Sequence, residues 1–168
     1  MQNPDGPIRE RKHRLSQQSY RGHVAVSFTI NTKDRQRSFD DSRVRNVAVT
    51  VLEEAFHRNG GHATVFVFIP DHVHLIVSGK DQGSDLLRLV AEFKQKTCFR
   101  LRKEGMVFAW QKDFYDNLIR ANEEYAAHVR YVLRNPVRRG LCLRWEDWPH
   151  KGVLGQSGQD LVLNMATS

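Results

Sequence analysis

The chain carries His72-Val73-His74 inside the run Phe66-Val-Phe-Ile-Pro-Asp-His-Val-His-Leu-Ile-Val77. Two imidazoles separated by one apolar residue, in a run that reads as a β-strand, share one face about 7 Å apart at the backbone, because successive strand side chains alternate. Val73, Leu75 and Val77 take the other face, toward a core. Paired imidazoles on an apolar strand are costly to bury unpaired. They are accounted for if they converge on one object, and a divalent metal is the first candidate. The plain alternative is two exposed strand histidines with no task.

A second stretch, Tyr125-Ala-Ala-His-Val-Arg-Tyr131-Val-Leu-Arg-Asn135-Pro-Val-Arg-Arg-Gly140, has helical spacing. His128, Tyr131 and Asn135 fall at i, i+3 and i+7 and make one polar stripe, while Val129, Val132 and Leu133 face elsewhere. A tyrosine in such a stripe is by default a packing residue with a satisfied hydroxyl. If the stripe lies over the face bearing His72 and His74, a metal, a phenol and a carboxamide meet in one place. That is equipment for phosphodiester chemistry, in which a metal neutralises charge on the phosphate and the phenol attacks phosphorus. Tyr115 is a second phenol, ranked below Tyr131 because it falls in an expected strand beside Phe114, where aromatic packing is the default. Trp110 and Phe114 could stack on unpaired bases or pack in the core.

The elements that must position these groups follow from periodicity. His23 to Ile30 alternates as a first strand, with Val24, Val26, Phe28 and Ile30 on one face. Asp41 or Ser42 caps a helix in which Val44, Val47, Val51 and Ala55 recur at helical spacing, and Asn59-Gly-Gly61 ends it. Ala63 to Ile69 and His72 to Ser78 form a hairpin around Pro70-Asp71. Ser84 is expected to cap a second helix with Leu86, Val90, Phe93, Thr97 and Leu101 inward and Arg88, Lys94, Lys96 and Arg100 on its other face. Phe114 to Ile119 reads as a fourth strand. Asn122 caps a last helix, with Glu123 and Glu124 at its positive end. Its expected end is Arg134, because residues before Pro avoid the helical region. The order β-α-β-β-α-β-α gives an α+β fold: a ferredoxin-like βαββαβ antiparallel sheet with an additional C-terminal helix, free to cover the sheet's second face.

The chain has 168 residues, is 40% hydrophobic, and carries a net charge of +7. One domain is expected, with a basic balance suited to a nucleic-acid partner. There is no 18-residue apolar run and no leading hydrophobic region, so neither a membrane span nor a secretory signal is expected. Cys98 and Cys142 fit no zinc spacing and read as reduced thiols of a cytoplasmic protein. Residues 1–19, with Arg9, Arg11, Lys12 and Arg14, read as a basic flexible arm, residues 20–150 as the domain, and residues 151–168 as a polar flexible tail containing Leu161-Val-Leu163.

Three motifs in order carry a resemblance over roughly Tyr20 to Pro149: Ile69-Pro-Asp-His-Val-His-Leu-Ile-Val77, Trp110-Gln-Lys-Asp-Phe-Tyr-Asp116, and His128-Val-Arg-Tyr-Val-Leu-Arg-Asn-Pro-Val-Arg-Arg-Gly-Leu141. The chain resembles the single-tyrosine transposases of the His-hydrophobic-His type, closest to the branch associated with repetitive extragenic palindromes (REP) in bacteria. The resemblance implies His72 and His74 as ligands to Mg²⁺ or Mn²⁺, Tyr131 as nucleophile and Asn135 as a third ligand. It also implies a single-stranded DNA transposase and endonuclease that cuts beside hairpins, forms a 5′-phosphotyrosine and rejoins strands. Such a protein is expected at the nucleoid, as monomer or homodimer. Arg130, Arg134, Arg138 and Arg139 flank the nucleophile and are the first candidates for backbone-phosphate contacts, with Lys94 and Lys96 behind them. A solvated basic helix face is the alternative. Two rival functions stand beside this one: a non-catalytic, domesticated hairpin-binding protein, and a zinc hydrolase of small phosphoesters. The lack of a carboxylate or Cys partner for the histidines disfavours the last. Trp145-Glu-Asp-Trp-Pro149 also resembles the family's ending, while the following His-Lys-Gly departs from it.

Overall fold

Alternating apolar strands and two amphipathic helices assemble here around one sheet. The structure, a computed structural model, describes residues 15–155. The arginines and lysine expected in the N-terminal arm and the apolar patch of the tail lie outside these residues. The strands are β1 (Ala25–Asn31), β2 (Gly61–Ile69), β3 (His72–Gly79), β4 (Tyr115–Ile119) and β5 (Lys151–Leu154). They line up as β4-β1-β3-β2-β5, every neighbouring pair antiparallel. The first four strands and their order are those of the ferredoxin-like βαββαβ arrangement.

Helices α1 (Ser42–Arg58) and α2 (Leu86–Lys103) cover one sheet face. Between them and the sheet lies the larger core, with Val26, Phe28, Ile30, Val73, Leu75 and Val77 from the strands and Leu52, Leu86, Val90 and Phe93 from the helices. Tyr20 joins this core and its hydroxyl donates to the buried Asp116 carboxylate, which ties the segment before β1 to β4. The other face is covered by α3 (Asn122–Leu133). Val129, Val132 and Leu133 pack there on Val65, Val67, Ile69 and Ile76. The two faces are thus set by strand parity: Val73, Leu75 and Val77 point one way, and His72, His74 and Ile76 the other.

Two local expectations are corrected. The cap of α2 is Asp85, whose carboxylate accepts from the Arg88 amide at 2.9 Å. Ser84 is occupied elsewhere, donating to the Gly60 carbonyl at 2.7 Å and accepting from the Lys80 and Asp81 amides. Helix α3 starts after Ala121 with no side-chain cap, so Asn122 is its first residue; the Glu124 carboxylate accepts from the Arg120 amide instead. Helix α3 ends at Leu133 with Arg134 as its cap, where the Pro136 signal puts its end. A short helix, α4 (Asn135–Arg138), follows α3 directly, with Pro136 in its first turn, where its missing N–H costs nothing.

The expected tail begins with an ordered strand. β5 pairs with β2, and the Phe68 amide donates to the His150 carbonyl at 2.8 Å just before it. Gly152 lies so close to Phe66 that a Cβ there would meet the ring at 2.3 Å. Trp148 caps the second core and donates its indole N–H to the Phe68 carbonyl at 3.0 Å.

Candidate active site

Strand pairing brings the polar residues together before any side chain is considered. Thr29 of β1 lies opposite His74 of β3 on one side and Tyr115 of β4 on the other, and Asn31 lies opposite His72. Directly paired residues share a face, so the row Tyr115–Thr29–His74 runs across the sheet under α3. Because α3 continues into α4, Tyr131 and Asn135, one turn apart, both face this row. An open cleft of about 400 Å³ results, lined by His72, His74, Tyr115, Tyr131, Asn135 and Arg139 among others.

The two imidazoles are nearly inaccessible, His72 at 1% and His74 at 4% exposed. Their Nε2 atoms stand 3.1 Å apart. The Nδ1 of His72 is 2.6 Å from the Asp71 carboxylate, which makes that nitrogen the donor and leaves an Nε2 lone pair. Asp71 is held in turn by the Arg35 guanidinium at 2.9 Å. The Nδ1 of His74 meets the Thr29 hydroxyl at 2.9 Å. With His72 Nε2 as the acceptor, His74 Nε2–H donates across the 3.1 Å contact and its Nδ1 accepts from the Thr29 hydroxyl; the hydroxyl could equally accept from Nδ1–H in the tautomer that frees Nε2.

Burial decides the charge of this pair. Desolvation pushes His72 down to about 4, against the opposing pull of Asp71. Desolvation, together with the positive charges of His72 and Arg139, also holds His74 well below the usual imidazole range. Burial alone would raise the Asp71 carboxyl, but its hydrogen bond to His72 and the nearby charges of His72, Arg35 and Arg139 leave it below its ordinary value. Both imidazoles are therefore neutral near pH 7, which is the ligand form.

The donor set fits a cation. Among the described residues no three His, Cys, Asp or Glu side chains gather at one point. A carboxamide could serve as a third donor: Asn135 is buried, and its Oδ1 has no hydrogen-bond partner. An orphaned buried acceptor costs about 1–3 kcal/mol. Beside two neutral imidazoles, a cation would satisfy it.

The remaining candidates separate by position. Arg139 lines the cleft, and the Arg138 guanidinium lies 4.3 Å from the centre of the Tyr131 ring. Arg134 is exposed on the adjoining surface and Arg130 is exposed on α3. Lys94 and Lys96 belong to α2, on the far face of the sheet. Lys94 donates to the Gln111 and Lys112 carbonyls at 2.9 and 2.8 Å, and Lys96 pairs with Glu92 at 2.6 Å. Trp110 packs in the larger core against Phe39, Phe93 and Phe108, and Phe114 against Phe28. Tyr115, the first residue of β4, sits in the cleft rather than in the core, whereas Phe114 just before the strand packs on Phe28. His128 is buried and lines a small pocket shared with His74, Tyr115 and Tyr131. Sequence reasoning did not single out Asp71, Thr29, Asn31 or Arg35. Polar residues at alternate positions of β1, and an Asp directly before His72, were the available signals.

The fold and site define an α+β protein with a polar cleft between an antiparallel sheet and a tyrosine-bearing helix. Residues 21–134 match the model of the IS200-like transposases, and the chain belongs to that family. A putative REP-associated tyrosine transposase of Haemophilus influenzae is 25% identical over 134 residues, covering 73% of this chain and 76% of the relative. A REP-associated tyrosine transposase of Escherichia coli is 25% identical over 122 residues, covering 73% of this chain and 72% of the relative. The fold matches a solved structure of a REP-associated tyrosine transposase bound to a REP hairpin with a TM-score of 0.70 at 22% identity, over 84% of this chain and 81% of the other.

Proposed function

We propose that this chain is a single-stranded DNA transposase that cuts and rejoins DNA beside hairpins through a tyrosine on α3. The observation that carries the reading is the convergence in one cleft of two buried neutral imidazoles, an unpartnered carboxamide oxygen and the Tyr131 side chain. Family membership supports DNA strand chemistry. The names of the two curated relatives and the hairpin held by the structural neighbour support REP-like hairpins as the substrate.

His72 and His74 would hold Mg²⁺ or Mn²⁺ through Nε2, with Asn135 Oδ1 as third ligand. Such an ion would polarise the scissile phosphate and neutralise charge that develops on it. Asp71 and Thr29 keep both imidazoles oriented, as second-layer partners of metal-binding histidines commonly do. Arg138 holds the Tyr131 ring by its cation–π contact, and Arg139 supplies positive charge to the cleft. The Tyr131 oxygen attacks phosphorus, an O–P bond forms, and the bond to the 3′-oxygen breaks. The phenolic proton passes to solvent, and the departing 3′-oxygen takes one up as a free hydroxyl. Attack by another 3′-hydroxyl on the phosphotyrosine reverses the step and joins strands.

The test is incubation with labelled hairpin-bearing single strands and Mn²⁺ or Mg²⁺, followed by a denaturing protein gel. Label retained on the protein, lost when the metal is chelated, supports the reading. Tight hairpin binding with no retained label under any metal condition would move the chain to non-catalytic hairpin binding.

A further inference from the structure

We infer that the groove beside α4, formed with the turn at Trp145, is a second nucleic-acid subsite that stacks an unpaired base of the strand whose phosphate lies in the cleft. This rests on the single-strand reading above and adds where the flanking nucleotides go. The groove encloses about 450 Å³, within the range of ligand clefts. Three guanidinium groups, Arg134, Arg138 and Arg144, line it together with Leu143 and Trp145. The single carboxylate present, Glu146, lies 3.7 Å from Arg144. A positive wall joined to an exposed apolar one is what a single strand requires: phosphates meet cations while a base face meets an aromatic ring.

Trp145 is the indole available for that contact. The other two tryptophans, Trp110 and Trp148, are buried at 8% and 9% exposure, whereas Trp145 is half-buried and Leu143 beside it is 94% exposed. The Trp145 ring is held in place: Lys151 Nζ lies 5.7 Å from its centre and is itself anchored to the Glu146 and Trp148 carbonyls at 2.6 and 2.7 Å. Arg138 joins the two sites, since it covers Tyr131 and also lines the groove. A strand presenting its phosphate to Tyr131 therefore passes Arg138 and reaches Trp145 next. A paired stem hides its base faces, so the groove suits unpaired nucleotides alone.

The experiment uses the full chain in EDTA, so that no strand is cut, and hairpin DNA carrying single-stranded extensions. Each extension position is replaced in turn by an abasic residue or by 5-iodouracil. The expected result is one position at which base removal weakens wild-type binding about tenfold, with little further loss in Trp145→Leu. Leucine keeps an apolar side chain against the second core and removes the stacking face. Iodouracil at that position should crosslink under light to the peptide containing Trp145, a readout that needs no variant. Equal binding of abasic and intact extensions, or crosslinks confined to other peptides, overturns the subsite while leaving the cleft's assignment standing. Failure of wild type to bind either stem or extension would overturn both.

Discussion

At the scale of single residues, the site depends on neutral imidazoles held by fixed partners. Desolvation sets His72 near 4 rather than 6.5. Between those values the unfolded chain binds a proton at this position and the folded one does not. Stability is therefore fully present above pH 6.5 and is lost as pH falls toward 4, by on the order of 3 kcal/mol from this residue. His72→Ala should flatten that acid limb in urea-unfolding curves measured from pH 7 to 4, stay folded at neutral pH, and lose metal-dependent strand cleavage. An unchanged acid limb would mean that His72 is not buried neutral. Asp71→Asn keeps a side chain of the same shape, but it weakens the acceptor that orients His72. Calorimetric Mn²⁺ binding should fall about 10- to 100-fold, the usual cost of removing such a partner. The sequence made His72, His74, Tyr131 and Asn135 legible because their spacing alone puts each pair on one face. It did not reveal Arg35 and Asp71, whose meeting depends on the turn after β1 folding back to the β2–β3 hairpin.

At the scale of elements, the strands and helices were legible wherever apolar period and punctuation agreed. The hairpin at Pro70-Asp71, the stop at Asn59-Gly-Gly61 and the stripes of α1 and α2 all stand where the pattern puts them. β5 was missed because four residues with a central glycine carry no period. What makes them a strand is the tertiary fit of Gly152 against the Phe66 ring. Gly152→Ala should therefore cost about 1–3 kcal/mol as overpacking, and amide exchange of Lys151 to Leu154 should accelerate more than that of β3. Exchange unchanged in β5 would show that the strand does not depend on this close approach. The cap of α2 was misassigned between two adjacent competent residues, Ser84 and Asp85. The choice was made by the Gly60 carbonyl, a contact distant in sequence. A new short helix, α4, starts at once after α3 because a proline that breaks an interior turn is tolerated in a first turn. The consequence is functional, since it keeps Asn135 on the Tyr131 face.

For the whole molecule, the net charge is +7. Arginines cluster where α3 and α4 meet the cleft, whereas Lys94 and Lys96 serve local contacts across the sheet. The triple variant of Arg134, Arg138 and Arg139 to Gln should weaken hairpin and scrambled single strands alike. It should also reduce the slope of log affinity against log salt by roughly 0.7 for each phosphate contact removed. Sequence preference should persist, because phosphate contacts position a strand without reading it. An unchanged slope would return these arginines to the role of a solvated basic face. The helices among the described residues include none long and apolar enough to cross a membrane.

If Tyr131 becomes covalently joined to DNA, it does so beside a competing phenol in the same cleft, Tyr115. Digestion of the protein–DNA adduct formed with a hairpin strand and Mn²⁺, followed by mass-spectrometric mapping, identifies the attached residue directly. The expected result is a nucleotide on the Tyr131 peptide, complete loss of adduct in Tyr131→Phe with hairpin affinity little changed, and retention of adduct in Tyr115→Phe. Adduct persisting in Tyr131→Phe and mapped to Tyr115 would contradict it.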